Sequence, residues 1–224
     1  KNMEGILQKE LKNLGNMVSN ISIKVEENLN KAIIAFIEND FEQAKAIKNN
    51  DAEIDKLEIL IEEECLKILA LHQPVAIDLR YIISVLKINN DLERIGDLTS
   101  NIAEIVIYLS DKSRHPISDT IPKMTEVVSS MLKESLDAFF NKDLKLAQAV
   151  QKKDDEVDDM HSSIFTSIKK SLKNSSDNID GLMPILSVSR YLERIADHCT
   201  NISEDVEYFI QGDITRHHYL NNNK

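Results

Sequence analysis

Helix breakers are scarce in this chain. Four prolines and five glycines in 224 residues exclude a fold built on frequent tight turns and leave room for long uninterrupted helices. Cysteine is limited to Cys65 and Cys199, with no C-x-x-C pair, which excludes a disulfide framework and a cysteine zinc site and points to a reducing compartment. The longest purely apolar run, Ala32–Ile37, is far too short to span a bilayer. Basic residues are outnumbered, 27 to 38, for a net charge of -11. That balance excludes nucleic acid, which requires clustered lysine and arginine, and strong adhesion to anionic lipid. It is compatible with cation binding. No signal peptide is visible at Lys1, and there is no glycine-rich phosphate loop or nucleophile motif.

Isoleucine, leucine, alanine, glutamate and lysine dominate, and hydrophobic residues make up 42%, enough for a core despite 29% charged residues. Apolar residues follow a 4-3-4-3 rhythm at Leu7, Leu11, Leu14, Val18, Ile21 and Val25, the seam of a long helix running to about Glu38. Asp40 with Gln43 has the form of a capping box for a second helix, which runs to about Leu71. His72-Gln73-Pro74 breaks it, and a third helix follows to about Leu109. Ser110–Ile121, with Pro116, is the expected boundary. Pro122 opens a fourth helix to about Asn141, Asp143 a fifth to about Lys173, and after the loop Asn174–Asp180 a sixth enters near Pro184 and ends at about Gln211. Strand periodicity is absent. The reading is all-α, with residues 1–112 and 113–212 as two units and 213–224 as a polar tail.

Those units are copies. Leu92-Glu93-Arg94-Ile95-Gly96-Asp97 returns as Leu192-Glu193-Arg194-Ile195-Ala196-Asp197, and the match continues through Asn101 and Asn201, Ile102 and Ile202, Glu104 and Glu204. Upstream, Asp51, Glu53 and Asp55 match Asp154, Glu156 and Asp158, and Asn39-Asp40 matches Lys142-Asp143. Each half then reads as helix–helix–helix. An antiparallel three-helix bundle is the simplest way to bury three amphipathic stripes joined by short turns.

Relative to Glu93, Asp97 lies at roughly 40°, Asn101 at about 80° and Glu104 at about 20° around a helix. These side chains share one face, opposite Ile95, Leu98, Ile102 and Leu109. Glu193, Asp197, Asn201 and Glu204 do the same. A polar stripe of this kind is usually a solvated surface, but like charges at i and i+4 repel, and here they recur. In an antiparallel hairpin, residues equidistant from the turn lie side by side. About Pro74 this pairs Asp55 with Glu93 and Asp51 with Asp97. About Ser175-Ser176 it pairs Asp158 with Glu193 and Asp154 with Asp197. Four carboxylates at one level call for protons or a cation, and hard oxygen ligands favour Mg, Mn, Ca or iron. Asn101 and Asn201 could add amide oxygens. Glu58 and Glu62 extend the first acidic face, where the second copy has His161 and Phe165, so the ligand sets differ. Arg94 and Arg194 read as surface ion pairs, His198 and Cys199 as packed residues, and His217-His218 as an adventitious metal pair.

The duplicated Glu93-Arg-Ile-Gly-Asp97…Asn101-Ile-Ala-Glu104, together with Gln73-Pro-Val-Ala-Ile-Asp78-Leu-Arg80, resembles the PhoU family of phosphate-uptake regulators across nearly the whole chain. The resemblance implies two three-helix bundles related by a pseudo-twofold, and a homodimer. It implies clusters of iron, or of Mg, Mn or Zn, held on the outer faces by Glu93/Asp97, Asp51/Asp55, Glu193/Asp197 and Asp154/Asp158. It also implies a non-enzymatic cytoplasmic adaptor that lowers phosphate uptake by acting on the phosphate ABC transporter and its sensor histidine kinase. The second copy departs at Asp78 and Arg80, where it has Asn178 and Asp180. Three alternatives stand beside this: a regulator of a different phosphate transporter, a helical-bundle carboxylate metal protein of storage or di-iron type, and a plain scaffold. Di-iron enzymes use inward-facing Glu-x-x-His pairs, and no histidine here has a glutamate three residues before it.

Overall fold

The chain was analysed as a computed structural model that describes residues 2–111, 119–174 and 179–212. It forms six helices: α1 (Asn2–Glu38), α2 (Phe41–His72), α3 (Ala76–Tyr108), α4 (Thr120–Asn141), α5 (Leu144–Asn174) and α6 (Ile179–Gln211). The expected unit boundary after residue 112, the Ser175-Ser176 centre and the tail with His217-His218 lie outside the described residues. No helix among the described residues is long and apolar enough to cross a membrane.

The two αα corners follow the repeat closely. Asn39 and Lys142 both adopt the left-handed conformation, with φ of 61° and 54°, and end α1 and α4. The next residue is an aspartate in both cases, and its N–H reaches back to Ala35 O or Ala138 O at 3.0 and 2.9 Å. This bond satisfies a carbonyl that the helix end would leave without a partner. Asp40 Oδ1 then accepts the Gln43 N–H at 2.9 Å, and Asp143 Oδ1 accepts those of Lys145 and Leu146, both at 3.0 Å. The capping box expected at Asp40 is only half made: the Gln43 amide turns away to donate to Lys31 O. Truncation of either cap, Asp40→Ala or Asp143→Ala, should cost about 1 kcal/mol. Chemical denaturation measures this, with the larger loss at Asp143 because two N–H groups lose their acceptor.

Two prolines sit further into their helices than expected. α6 starts at Ile179, so Pro184 is inside it and buried, and α4 starts at Thr120, two residues before Pro122. At Pro122, in the first turn, no intrahelical N–H bond is lost, whereas Pro184 is the sixth residue of α6 and forgoes the bond that an N–H there would make to the Asp180 carbonyl. At the other break, Gln73 ends α2 in the left-handed conformation, and Pro74 lies in the link before α3.

Each half is a three-helix bundle: α1, α2 and α3 pack on one another, as do α4, α5 and α6. The halves join through α3 against α6 and α1 against α4, while α2 and α5 pack only within their own half. One continuous apolar core runs through both halves, from Leu14 and Ile21 in α1 to Ile202 and Val206 in α6. Exchanges of volume keep the copies equivalent. A Cβ on Gly96 would stand 3.2 Å from Ile54, whereas the second copy has Ala196 and the smaller Val157 at the matching positions. The inner helices bury polar residues as well, among them Ser84, Asn89, Asp91, Ser189, Ser203 and Asp205. Asn89 donates to Glu58 O at 2.9 Å and Ser84 to Asp205 O at 3.2 Å. Arg80 Nε donates to Phe209 O at 3.3 Å, a cation at the C-terminal end of α6. Its partner is in the opposite half, so the repeat offers no equivalent role at Asp180.

Candidate functional site

α2 and α3 run antiparallel and bring Asp51 and Asp55 against Glu93 and Asp97; α5 and α6 do the same for Asp154, Asp158, Glu193 and Asp197. The carboxylates interact across each hairpin. Asp51 feels Asp97, Glu93 feels Asp55, Asp154 feels Asp197, and Glu193 feels Asp158. The leading aspartate of each pair, Asp51 or Asp154, is half-buried, and the second, Asp55 or Asp158, is exposed.

Burial and mutual repulsion hold several of these groups above the usual carboxylate range. Burial raises Asp51, and Asp55 and Asp97 add to it, while the nearby Ser100 hydroxyl, whose Oγ makes no hydrogen bond of good geometry, opposes them. Burial and then Asp97 raise Glu93, and burial and then Asp197 raise Glu193. Asp154 goes furthest, pushed up to about 6 by burial and by Asp197, Asp158 and Asp155, with the Thr200 hydroxyl opposing. Ser100 and Thr200 occupy matching positions in the repeat. Sequence reading passed over them as neutral residues; the recurrence of a hydroxyl three residues after each motif aspartate was the available signal.

The two clusters differ in the charge that balances them. In the first, Arg94 reaches Glu93 and Asp97, both at 3.3 Å. Lys48 forms an ion pair with Glu104 and also faces Asp51 and Asp97, so its own pKa rises, chiefly through the hydrogen bond to Glu104. In the second, the residue matching Lys48 is Gln151, a neutral amide whose buried Nε2 makes no hydrogen bond. Glu193 Oε1 accepts from Arg190 at 2.9 Å, while its buried Oε2 has no partner. Arg190, Arg194 and His198 act on Glu193 or Asp197, but no cation lowers Asp154, whereas Lys48 lowers Asp51; the leading aspartate of the second cluster is thus the less compensated of the two. The second cluster also has an imidazole beside it. Ser189 Oγ lies within hydrogen-bond reach of both Leu186 O and His161 Nδ1, the latter at 2.9 Å; when the hydroxyl donates to Leu186 O, His161 Nδ1 carries the imidazole hydrogen. That leaves Nε2 with a free lone pair.

Glu104 is engaged by Lys48, and Asn101 makes no recorded contact among the described residues. Asn201 turns towards the opposite half, where its Nδ2 donates to Asp91 Oδ1 at 3.3 Å. Glu204 is half-buried a turn beyond Thr200. As the side chains stand, no group of three or more His, Cys, Asp or Glu residues among those described is arranged to close on one metal ion. The donor set itself suits a hard cation: two groups of four carboxylates, one with an acidic oxygen lacking any donor. Cys65 and Cys199 are buried, with Cys65 pushed up to about 12 by burial and Cys199 raised well above the ordinary thiol range by the same cause. Neither is a thiolate ligand at neutral pH.

Known proteins match this arrangement over its whole length. The PhoU domain matches twice, at residues 18–106 and 121–206. The crystal structure of PhoU from Pseudomonas aeruginosa superposes with a TM-score of 0.89 at 34% identity, covering 92% of this chain and 99% of that one. The phosphate transport system regulatory protein PhoU from Streptococcus pneumoniae gives 0.87 at 30%, covering 93% and 98%. The phosphate-specific transport system accessory protein PhoU homolog of Clostridium acetobutylicum is 34% identical over 92% of this chain and 95% of its own length. With both repeats matched, in sequence and in three dimensions, the chain belongs to the PhoU domain family.

Proposed function

We propose that this protein is a non-enzymatic, cytoplasmic regulator of phosphate homeostasis that lowers uptake through the phosphate ABC transporter and signals to its sensor histidine kinase. The supporting observation is the match of both repeats to proteins named as accessory or regulatory components of phosphate transport. The duplicated carboxylate clusters lie where each outer helix, α2 or α5, meets its inner neighbour, α3 or α6, with Asp55 and Asp158 exposed to solvent and a partner. In this reading they hold cations, iron or Mg, Mn or Zn. Asp51, Asp55, Glu93 and Asp97 bind in one half, and Asp154, Asp158, Glu193 and Asp197 in the other, with His161 available to the second. A cation there would replace protons as the balancing charge and supply an electrostatic link between the hairpins, with no reaction required of it.

Two measurements test the proposal. Deleting the gene in the source organism should raise phosphate uptake in phosphate-replete medium, and an unchanged rate would count against the regulatory role. Metal analysis of native protein should find bound cation that is lost from the Glu93→Ala/Asp97→Ala/Glu193→Ala/Asp197→Ala variant. Metal-free wild type after native loading would sink the metal assignment without touching the regulatory one.

A further inference from the structure

Along the junction of the two halves, α3 and α6 leave a cleft of about 580 Å³. Its charged lining is mainly basic, in a protein of net charge -11. Lys87 and Arg94 enter it from α3, and Arg194 and His198 from α6. Its one carboxylate, Asp91, is already engaged: Oδ1 lies 2.8 Å from His198 Nδ1 and 3.3 Å from Asn201 Nδ2. Arg94 and Arg194 are matching residues of the repeat, and the pseudo-twofold brings them to the same cleft.

We infer that this cleft is an oxyanion site in which Arg94 and Arg194, one from each half, grip a phosphate group. Arg194 is exposed and acts on Glu193 and Asp197 only through its charge, with no hydrogen bond to either, so its donors remain open to an incoming anion. Arg94 holds Glu93 and Asp97 through two 3.3 Å contacts at an exposed side chain, pairs worth at most about 1 kcal/mol, so an incoming dianion can take it over. A guanidinium presents a planar fork of donors that matches two phosphate oxygens, which an ammonium does not. Lys87 is held by Asp205 at 3.1 Å and stacked over Tyr208, so its charge is largely balanced and it contributes N–H donors at the wall rather than net charge. Neutral donors are at hand in the Asn90 and Asn201 amides. The choice of phosphate over other oxyanions rests on the proposed regulatory role; the existence of an anion site rests on the cleft alone. Free orthophosphate and the terminal phosphate of a nucleotide carry the same chemistry, and the cleft has room for either.

The test is a calorimetric or NMR titration of the full chain with orthophosphate, ATP and sulfate at matched ionic strength. A chelator is kept present so that no cation in the carboxylate clusters recruits the anion. Saturable binding of orthophosphate, weakened about tenfold or more in Arg94→Gln/Arg194→Gln and restored in part by Arg194→Lys, supports the site. Binding of ATP but not orthophosphate, with the same arginine dependence, supports it with a nucleotide as the carrier. No saturable binding of any of the three, or unchanged affinity in the double variant, overturns the inference, and equal binding of sulfate overturns the choice of phosphate. Both arginines are exposed, and an unchanged melting curve excludes misfolding as the cause of a loss. If uptake regulation persists without binding, only this inference falls. If binding persists without regulation, only the proposed function falls.

Discussion

Leu92→Ala and Leu192→Ala each lower the free energy of unfolding by about 2–5 kcal/mol, whereas Leu66→Ala changes it by less than about 0.5 kcal/mol. Leu92 and Leu192 hold matching positions in the two copies, and both are 0% exposed. Each lies on a helix packed on both sides, against its own bundle and against the opposite half. Truncation removes buried methyl groups and leaves a space that long, closely packed helices cannot easily collapse into. Leu66 is 55% exposed on an outer helix and has little to lose. Because one core runs through both halves, either buried substitution should shift a single cooperative transition in urea. A two-step curve, with one half melting first, would contradict the shared core. Cys65 and Cys199 provide an independent readout, since both are buried with raised pKa values. They should react with thiol reagents only as fast as the protein opens.

The second large effect has the opposite sign. Asp154→Asn stabilises the cation-free protein at pH 7, by on the order of 1–2 kcal/mol once solvent screening is allowed for. Asp154 moves from 3.8 in an unstructured chain to about 6 in the fold. Between those values the folded state holds a proton that the unfolded state has released. Stability therefore falls as pH rises through this window, and the penalty is fully present above about 6. Wild type in chelator should gain stability on going from pH 7 to pH 5, and Asp154→Asn should show a much flatter profile. If cations bind as proposed, they suppress the same repulsion in wild type, adding about 2.7 kcal/mol at a hundredfold excess over Kd. The variant should respond less. A wild-type profile that rises with pH between 5 and 7 would contradict the placement of Asp154. Lys48 suggests why the first cluster is milder: it supplies a resident positive charge where the second has Gln151.

Much of this was legible in the residues alone. The six helices came from the scarcity of breakers and from apolar periodicity. The αα corners came from Asn39-Asp40 and Lys142-Asp143, because a left-handed residue followed by a capping aspartate is a purely local device. The carboxylate pairs across each hairpin followed from counting residues to the turn, since the fixed rise of a helix makes height a function of sequence distance. Rotation about a helix axis is not local, and there the sequence stopped. It could assign one apolar stripe per helix but not a second contact, so α3 and α6 read as surface helices. Their burial against each other, with Asp91, Ser84 and Ser203 inside, required the halves to dock. That docking turned Asn201 from the acidic face towards Asp91, drew Arg94 and Arg194 to one cleft, and left Glu104 to Lys48. The sequence by itself determined the helices, their caps and the height of each acidic residue, all set by neighbours within a few turns. Only the tertiary structure decided which carboxylates are balanced and which arginine and lysine side chains balance them, because a charge is governed by whatever lies within a few ångströms, however distant in the chain.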